Sequence, residues 1–400
     1  MGLTFHEEPP ADQQAVLDAV AELLPVLRER AQQAEDARNV PAESIKALEE
    51  TGFFRLLQPA AYGGYEADPL TFYTAVRMIA SACGSTGWVS SVVGVHPWQL
   101  ALFPPMAAQE VWGTDTATRM SSSYAPTGRA APADGGHRLT GRWSFSSGCE
   151  HASWVLLGGI VADSDGKPPD YRTFLLPRAD YEIDDVWDTV GLRGTGSNDI
   201  VVNDVFVPEH RSLSFADVFR CSCPGQQVNT APLYRLPYGS VFSYAISTPI
   251  IGMATGAYAA HVEYQRARVR ASYVGQKAKE DPFSQVRVAR AAAEIDAAWL
   301  ALERNMTDLM AHARAGEKIP LPLRLRVRRD QVLGTGRAIE AVDLLTENSG
   351  GRALKLGTPI QRYWRDVHAG RVHAINDPER ALSAFGRGEF GLDFIPDGMV

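Results

Sequence analysis

Two stretches of this sequence carry most of the information about its fold: SGCEHASW, from Ser147 to Trp154, and RDVHAGRVHAINDPERA, from Arg365 to Ala381. The first places a serine and other small residues at the start of a region rich in β-branched and aromatic residues. The second places His368 and His373 five residues apart, near the end of a helical region. The two stretches therefore belong to different kinds of secondary structure.

Outward from these stretches, the chain divides into three zones. Residues 11 to about 118 have helical periodicity, whereas residues 119 to about 212 contain β-branched and aromatic runs bounded by turn residues, such as Ile200–Pro208. Helical periodicity then returns, with apolar residues at alternating spacings of four and three from Val288 to Leu309. This order is not the alternating pattern of a parallel doubly wound sheet. It predicts an α+β protein with an N-terminal helical domain (1–118), a central β-barrel (119–213) and a C-terminal helical bundle (214–400).

Composition limits the class of protein. The 400 residues suit two or three domains, and 45% hydrophobic with 22% charged residues can form a substantial core. The formal charge of -8 and the pI near 5.7 give no basic surface for nucleic acid or anionic lipid. No apolar run reaches the length of a membrane span, and the N-terminal residues are too acidic and polar for a signal peptide. We therefore expect a soluble cytoplasmic protein that binds neither nucleic acid nor membrane.

Motifs of several other protein classes are absent or misplaced. Gly386–Gly391 has the spacing of a dinucleotide-binding loop, but it lies near the C-terminus with no βαβ unit after it. Cys221 and Cys223 form a close pair without further Cys or His at ligand spacing, so they predict no metal site, and their role stays open. There is no Walker loop, H-E-x-x-H or G-x-S-x-G. An oxidoreductase with this sequence must receive its electrons from elsewhere.

The loop Trp143–Gly148 has the composition of a site for a flat cofactor. Its serines offer hydroxyl groups, and Gly148 allows close backbone approach beside aromatic rings. A flavin ring needs flat apolar walls and a few hydrogen bonds at its polar edge. From composition alone, an ordinary β-turn with strand aromatics is the simpler explanation.

The motifs SSSYAP (121–126), SSGCEHASW (146–154) and HAGRVHA (368–374) together resemble the oxygenase components of two-component flavin-dependent phenol hydroxylases, which share the acyl-CoA dehydrogenase fold. The likeness spans about Ser44 to Val400 and is greatest to members from bacterial steroid catabolism, which convert a phenolic seco-steroid to a catechol. The segment from Phe215 to Ser243 differs more. The resemblance implies ortho-hydroxylation of a phenol through a flavin C4a-hydroperoxide, with O2 as co-substrate.

The resemblance also assigns residues to the flavin ring. In related oxygenases the serine that matches Ser147 lies near the reactive edge of the flavin, where it supports the hydroperoxide. In acyl-CoA dehydrogenase relatives the loop that matches Gly191–Asn198 flanks the isoalloxazine, although a tight hairpin loop is an alternative explanation. The ring contacts expected on this basis are Ser146, Ser147, Gly148, Thr195 and Ser197.

The phosphate end of a flavin suits arginines and close-approach glycines. We expect three arginines at the end of a long helix that starts near Pro249, unless they are a solvated charge run. Asn348–Arg352 resembles the glycine pair that meets the flavin phosphates in acyl-CoA dehydrogenases, often across a subunit boundary. Relatives carry more of a G-G-x-G pattern than this chain, so FMN and FAD stay open. The expected contacts are Arg268, Arg270, Gly350, Gly351 and Arg352.

The segment Ile375–Pro378 argues against acyl-CoA dehydrogenation. In acyl-CoA dehydrogenases a glutamate, commonly placed there, removes the substrate α-proton, and here no glutamate precedes Glu379. His373 instead stands where the phenol hydroxylases place a histidine against the substrate hydroxyl, and a histidine can accept a phenol proton or hold a phenolate. We expect His373 and Ser147 to be catalytic, and His368 to pack the helix near the flavin.

Three further residues are expected at the pocket. Related oxygenases bring the N-terminal helical zone over the flavin, with an aromatic residue and a histidine lining the pocket. Trp88 is expected as a ring wall for both flavin and substrate, and His96 as a polar contact to substrate, although each could equally be a core residue. Asn376 is the third expected substrate contact.

These observations favour an oxygenase that receives reduced FMN or FAD from a separate NAD(P)H-flavin reductase. The alternatives are oxidation of a natural-product phenol, N-oxidation of an amino sugar and, in another class, a flavin dehydrogenase that passes electrons to a carrier protein. In relatives the C-terminal bundle packs four subunits together. The long apolar face Ile295–Leu309 exceeds what one domain needs to cover, so we expect a homotetramer.

The purified chain alone is expected not to oxidise NADH, because it has no recognisable nicotinamide site. Hydroxylation should begin when a flavin reductase is added. Absorbance of NADH and chromatography of the product measure the two steps separately. Substantial NADH oxidation by the pure chain, without a reductase, would contradict the prediction.

Overall fold

Helices form the N-terminal part of the chain. The structure is a computed structural model that describes residues 8–161, 169–270 and 275–392. The first helices are α1 (Ala11–Glu29), α2 (Ala31–Ala37), α3 (Ala42–Glu50), α4 (Pro69–Ala82), α5 (Gly84–Leu100) and α6 (Pro105–Trp112). The predicted change from helix to strand follows, between Trp112 and Met120.

A seven-stranded sheet forms the middle of the chain. Its strands are β1 (Met120–Ala133), β2 (Gly136–Ser146), β3 (Trp154–Val161), β4 (Asp170–Pro177), β5 (Glu182–Asp184), β6 (Asn198–Pro208) and β7 (Ser212–Ser214). The order is β5-β6-β2-β1-β3-β4-β7, with β1 and β3 parallel and the other neighbours antiparallel. Among the described residues the edge strands β5 and β7 do not pair, so the expected barrel is an open sheet.

The sheet encloses a small core of its own. Trp143 on β2 is fully buried, and its indole N–H donates to the Gly158 carbonyl on β3, 2.6 Å away. The ring crosses β1 at Gly128, where any side chain would clash with it. His137 on β2 packs edge-on against Phe174 on β4, with 5.4 Å between the ring centres. These contacts join non-adjacent strands, which shows that the open sheet curls round its core.

The C-terminal part is a helical bundle with a short hairpin. Its elements are α7 (Phe215–Arg220), α8 (Tyr238–Ala267), β8 (Val269–Arg270), β9 (Gln276–Lys277), α9 (Pro282–Arg314), α10 (Leu321–Ser349), α11 (Pro359–Arg371) and α12 (Pro378–Glu389). The helix expected to start near Pro249 starts eleven residues earlier, at Tyr238, and contains that proline. The Gly386–Gly391 motif lies mostly within α12, so its spacing does not form a nucleotide loop.

Helices α4, α9 and α12 begin with the same Asp-Pro pair. Asp68, Asp281 and Asp377 each accept a hydrogen bond from the backbone N–H two residues ahead, at 2.9 to 3.1 Å. The proline that follows occupies the first turn, where its missing N–H costs nothing. The starts of α4, α9 and α12 are therefore encoded locally.

Helix α5 is the element that positions the site. Every residue of α5 except Val92 is buried, although the helix contains several serines and a histidine. It packs against α4 and α8 on one side and against β1 on the other. A helix without a solvent-facing side must be covered on all sides, so the sheet and the bundle are fixed relative to it.

The reason given above for a tetramer is wrong. Ile295, Leu302, Met306 and Leu309 are already buried within one chain, against α8 and α10. A different stripe of α9 is exposed: it includes Phe283, Val286 and Leu300, the first with 77% of its surface accessible. Any assembly through α9 must use this second stripe.

Candidate active site

A chain of hydroxyl groups lies where α5 meets the ends of β2 and β6. The Trp88 indole N–H donates to Ser147 Oγ at 3.2 Å, Ser147 Oγ lies 2.7 Å from Ser197 Oγ, and Ser197 Oγ lies 2.6 Å from Thr195 Oγ1. Thr195 donates its hydrogen to the Leu192 carbonyl at 2.9 Å. Since a carbonyl can only accept, the hydrogens all point from Ser147 towards Leu192. Ser147 Oγ is therefore left as an acceptor.

The backbone around Ser147 brings the two predicted loops together. The Gly148 N–H donates to the Thr195 carbonyl at 3.0 Å, and Gly148 has a φ of +69°. A Cβ at this glycine would lie 2.7 Å from the Val89 side chain, so the position requires glycine both for conformation and for space. Ser147, Thr195 and Ser197 were all predicted as flavin contacts, and the structure places them in one cluster.

Ser146 does not join this cluster through its hydroxyl. Its side chain is fully buried and donates to Ser121 Oγ at 3.2 Å, between β1 and β2. Ser146 is the last residue of β2, and its hydroxyl bonds Ser121, whereas that of Ser147 bonds Ser197. Any contribution of Ser146 to a cofactor site must come from its backbone.

Phe145 is a candidate contact that the sequence did not single out. Its φ is +70°, a strained value for an aromatic residue, and 70% of its surface is exposed. It meets Trp187 edge-on, with ring centres 6.0 Å apart. In the sequence Phe145 resembles any strand aromatic, and only the backbone angle and the exposure distinguish it from buried Trp143.

His373 lies beside Trp88, with ring centres 6.0 Å apart. Its Nδ1 accepts a hydrogen bond from the Ile375 backbone N–H at 3.2 Å, so a neutral ring carries its hydrogen on Nε2. Burial lowers the pKa of His373 to about 4, which keeps the ring neutral at physiological pH. Towards a ligand, His373 therefore presents an N–H donor.

His96 has the opposite arrangement of its hydrogen. The fully buried ring donates from Nδ1 to the Met120 carbonyl at 2.8 Å, which leaves Nε2 as the acceptor for the Ser122 hydroxyl, also 2.8 Å away. Burial lowers the pKa of His96 to about 4. Because its hydrogen is donated to His96, Ser122 Oγ is the acceptor that this neutral pair presents to a ligand. The sequence predicted His96 but missed Ser122, which stands among three consecutive serines with no mark to separate it from the others.

The two histidines lie near two positions of α5 that are well separated along the helix. Trp88, beside His373, and His96 are separated by two helical turns, or about 12 Å at 1.5 Å per residue. Val92 lies between them and is the one residue of α5 that is not fully buried; Ser122 below it is also partly exposed. Val92 and Ser122 are therefore partly accessible positions between α5 and the sheet.

A group of aromatic rings lies next to His96. Tyr238 stacks on Phe242 with 4.1 Å between ring centres, and Tyr171 stacks on Phe215 at 4.0 Å. Tyr124 meets Phe242 edge-on, and its hydroxyl donates to Gln99 Oε1. These rings form an apolar aromatic wall next to His96, in which Phe215, Tyr238 and Phe242 are themselves buried.

The expected phosphate contacts lie at the ends of α8 and α10. Arg268 donates to the Asn348 carbonyl at 2.7 Å and packs against Gly350, which has a φ of +69°. Gly351 and Arg352 are exposed. Arg268 follows α8 and Arg270 lies in β8, so neither projects from the helix as expected; the side chain of Arg270 lies outside the described residues. Among the described residues, no contact joins this group to Ser147.

Two residues near His373 are engaged within the protein. Asn376 donates to the Gly370 carbonyl at 2.9 Å and accepts from Gln331 at 2.8 Å, so its amide is not directed at a ligand. His368 lies 2.9 Å from an Asp343 carboxylate oxygen and packs against Trp364, in keeping with a role in helix packing. The substrate contact expected at Asn376 stays a prediction without geometric support.

Comparison with known proteins identifies the family and the fold of this chain. Residues 10–118 match the acyl-CoA dehydrogenase N-terminal domain, and residues 244–378 match the acyl-CoA dehydrogenase C-terminal domain. The flavin-dependent monooxygenase oxygenase subunit HsaA of Rhodococcus jostii (strain RHA1) is 61% identical over 378 residues, which cover 94% of this chain and 98% of that protein. The crystal structure of 3-HSA hydroxylase from Rhodococcus sp. RHA1 has a TM-score of 0.93 and 60% identity, over 96% of this chain and 99% of that one. XiaF from Streptomyces sp., solved in complex with FADH2 and glycerol, has a TM-score of 0.88 and 28% identity, over 96% of each chain.

The chain therefore has the acyl-CoA dehydrogenase fold. Within that fold it belongs to the family of flavin-dependent monooxygenase oxygenase subunits, and its cofactor is a reduced flavin. The resemblance expected from the sequence is confirmed, and so is the oxygenase class in preference to a dehydrogenase. In the ranges that the structure describes, no helix is long and apolar enough to cross a membrane, and no cluster of three metal-binding side chains occurs.

Asp366 ties the loop 191–197 to α11. The carboxylate is 3% exposed, and its Oδ1 accepts from the Leu192 N–H at 2.6 Å. Its Oδ2 lies so close to Gly84, at the start of α5, that a Cβ there would be 2.7 Å away. Burial raises the pKa of Asp366 to about 7. The loop that carries Thr195 and Ser197 thus depends on a carboxyl group that ionises near neutrality.

Asp366→Asn is expected to remove a pH dependence of stability. The folded protein keeps the Asp366 proton up to a pKa of about 7, whereas the unfolded chain releases it near the ordinary value of 3.8. The free energy of unfolding should therefore fall as the pH rises between these values, by at most about 1.4 kcal/mol per pH unit. The variant should lose this fall and keep the Leu192 bond through its amide oxygen. Urea unfolding at unit steps between about pH 5 and pH 8 measures the difference.

Asp343→Asn, which removes a half-exposed carboxylate on α10, is the control for a change of charge alone. If Asp366→Asn and the parent chain lose stability equally as the pH rises, Asp366 is already ionised in the folded protein.

Proposed function

We propose that this enzyme hydroxylates a phenol ortho to its hydroxyl group. The observation that carries the proposal is the pair of neutral histidines with opposite hydrogen-bonding arrangements: His373 offers an N–H donor, and His96 takes the hydrogen of Ser122 and leaves that oxygen as an acceptor. A phenol oxygen carries both a hydrogen to donate and lone pairs to accept with, so it suits a site with one acceptor and one donor. Reduced FMN or FAD comes from a separate flavin reductase, and O2 is the co-substrate.

The residues near Ser147 fit a flavin ring. Ser147 Oγ is an acceptor at the end of its hydroxyl chain, Phe145 presents an exposed ring, and Gly148 leaves room for close approach. Arg268, Gly350 and Gly351 would hold the phosphate end, as in the acyl-CoA dehydrogenases that the sequence resembles. When bound, the reduced flavin would supply the two electrons that activate O2; one oxygen atom of that O2 enters the phenol and the other leaves as water. Everything else in the reaction depends on how this chain holds the phenol.

The two histidines divide the work of holding the phenol. Ser122 Oγ, whose own hydrogen is donated to His96 Nε2, accepts the hydrogen bond of the phenol O–H, and His373 Nε2–H donates to the phenol oxygen. A donor that strengthens as negative charge develops on the oxygen stabilises the phenolate, and the phenolate directs electron density to the ortho carbon. The tautomers favour holding the phenolate, rather than accepting its proton, as the role of His373.

A phenolic seco-steroid is the proposed substrate. The support is the likeness to the R. jostii HsaA subunit and 3-HSA hydroxylase, together with the aromatic wall next to His96, which is larger than a single phenol ring needs. The test supplies reduced FMN or FAD, O2 and either the seco-steroid or a simple phenol, and compares catechol yields. Preference for the simple phenol would favour a natural-product phenol instead.

We further propose a homotetramer that uses the exposed stripe of α9. Val286→Asp combined with Leu300→Asp should dissociate the assembly, because each change places a charge in a dehydrated interface. Light scattering measures the mass. Val228→Asp changes an equally exposed valine outside the bundle and should leave the mass unchanged. A parent chain that is a stable, flavin-competent monomer would contradict the proposal.

Ser147→Ala is expected to divert oxygen from product to hydrogen peroxide. The variant removes the acceptor at the flavin edge and ends the hydroxyl chain, and one preorganised hydrogen bond of this kind is worth about 1–3 kcal/mol. The ratio of catechol to hydrogen peroxide per flavin oxidised should fall about tenfold. Ser123→Ala, a serine whose hydroxyl bonds the Ser144 carbonyl, is the control for loss of a hydroxyl between β1 and β2. An unchanged ratio in Ser147→Ala would make Ser147 structural.

His373→Ala is expected to lower the rate of hydroxylation by about 10²-fold while reduced flavin still binds, because the N–H donor to the phenol oxygen is lost. Raising the pH towards the pKa of the phenol should restore part of the rate. His373→Gln keeps an N–H donor and should retain more activity than His373→Ala. Single-turnover product formation measures all three rates.

His368→Ala is the internal control for His373 and should act only through flavin affinity or folding. With a pKa of about 4 for both His373 and His96, neither ring should contribute an inflection to the pH–rate profile between about pH 5 and pH 8. A normal rate in His373→Ala at neutral pH would remove this residue from the mechanism.

A further inference from the structure

Helix α10 carries a row of buried polar side chains that reaches the turn bearing His373. Arg328, Gln331 and Thr335 lie one helical turn apart, and each is at most 5% exposed. A helix buried in a bundle is normally covered by apolar groups on this face, since buried polar groups are costly unless they are bonded. These side chains therefore have a bonding task, and their partners show what it is.

The row ends on the short turn Ala374–Asn376. Gln331 Nε2 donates to Asn376 Oδ1 at 2.8 Å, and Asn376 Nδ2 donates to the Gly370 carbonyl at 2.9 Å. Arg328 donates from one nitrogen to Gln331 Oε1 and from another to the Ile375 carbonyl, the latter at 3.1 Å. We name Arg328, Gln331 and Asn376 the α10 clamp. It holds both ends of the 370–376 turn.

The clamped turn is what fixes the ring of His373. The Ile375 N–H that bonds His373 Nδ1 belongs to a residue whose carbonyl Arg328 holds. The His373 N–H donates to the same Gly370 carbonyl that Asn376 holds, at 3.3 Å, and the Asn376 N–H donates to the His373 carbonyl at 2.8 Å. A shift of the turn would therefore break the bond to Nδ1 and release the tautomer.

We infer that the α10 clamp positions His373: by holding the Ile375 amide against Nδ1, it keeps the ring hydrogen on Nε2 and aims that N–H beside Trp88. Arg328, Gln331 and Asn376 are positioning residues and touch neither substrate nor flavin in this arrangement. The catalytic consequence rests on the proposed function, whereas the effect on the tautomer does not. A purely structural network would stabilise the bundle without selecting which ring nitrogen is protonated.

The tautomer can be observed directly. Histidine labelled with 15N gives separate signals for protonated and unprotonated ring nitrogens, and His373→Gln identifies those of His373 among the nine histidines. In the parent chain we expect one species, protonated on Nε2. In Asn376→Ala and Arg328→Lys a second species protonated on Nδ1 should appear, because each variant releases the turn. Asn376→Ala loses the bonds to Gln331 and Gly370, and the lysine in Arg328→Lys lacks the fork that reaches both acceptors. Solid-state NMR spectra can be recorded for an assembly of any size.

Activity gives the second measurement. The clamp variants should form about tenfold less catechol per flavin oxidised, with the KM for the phenol within about twofold of the parent value, because the donor is misdirected rather than the pocket lost. Arg326→Lys is the matched control: it lies on the same helix and bonds Asn305 and Asp308 instead of the turn, so tautomer and coupling should match the parent.

The outcomes separate the two proposals. If folded Arg328→Lys and Asn376→Ala keep a single Nε2-protonated His373, the clamp does not position the ring and the inference is wrong. If Asn376→Ala does not fold, Arg328→Lys and the isosteric Gln331→Met decide the question. If the tautomer changes but His373→Ala hydroxylates normally, the clamp stands and the proposed role of His373 falls.

Discussion

Helix α5 has no solvent-facing side, and the rest of the molecule is arranged to cover it. The sheet lies against one flank while α4 and α8 cover the other, so the β-rich and helical parts cannot move apart without exposing α5. Burial on this scale also leaves Trp88 and His96 at fixed positions two turns apart. The site is therefore not carried on loops alone: its length and its two ends are set by a helix that packing holds rigid.

Burial then decides the chemistry of the two histidines. His96 is fully buried and His373 partly buried, and burial lowers the pKa of each ring to about 4, so both rings are neutral at physiological pH. A neutral imidazole has one donor and one acceptor nitrogen. The backbone decides which nitrogen is the donor and which is the acceptor. The Met120 carbonyl accepts the hydrogen of His96 Nδ1, whereas the Ile375 N–H donates to the lone pair of His373 Nδ1. Two identical side chains thus acquire opposite roles from one carbonyl and one amide.

The sequence predicted what depends on local pattern. Apolar periodicity predicted α9, and the β-branched run Ile200–Pro208 predicted β6, because these elements are stabilised by one repeating face. Resemblance predicted Ser147, Thr195 and Ser197, which the structure brings together. The position of Arg268, the open sheet and the packing of the α9 face were not predictable, since each depends on partners distant in sequence. Ser122 and Phe145 differ from their neighbours only in exposure and backbone angle, and a sequence displays neither.

Both predicted catalytic regions are held by buried polar contacts where apolar packing would be more stable. Asp366 bonds the loop of Thr195 and Ser197, and Arg328 with Gln331 holds the turn of His373. The energy of an apolar contact changes little on small rotations of the side chain, whereas a hydrogen bond depends on direction as well as distance. A site whose serine must stay an acceptor and whose histidine must stay a donor requires that direction. Burying a carboxyl and a guanidinium costs free energy, and these buried groups keep the hydrogens of Ser147 and His373 in defined positions.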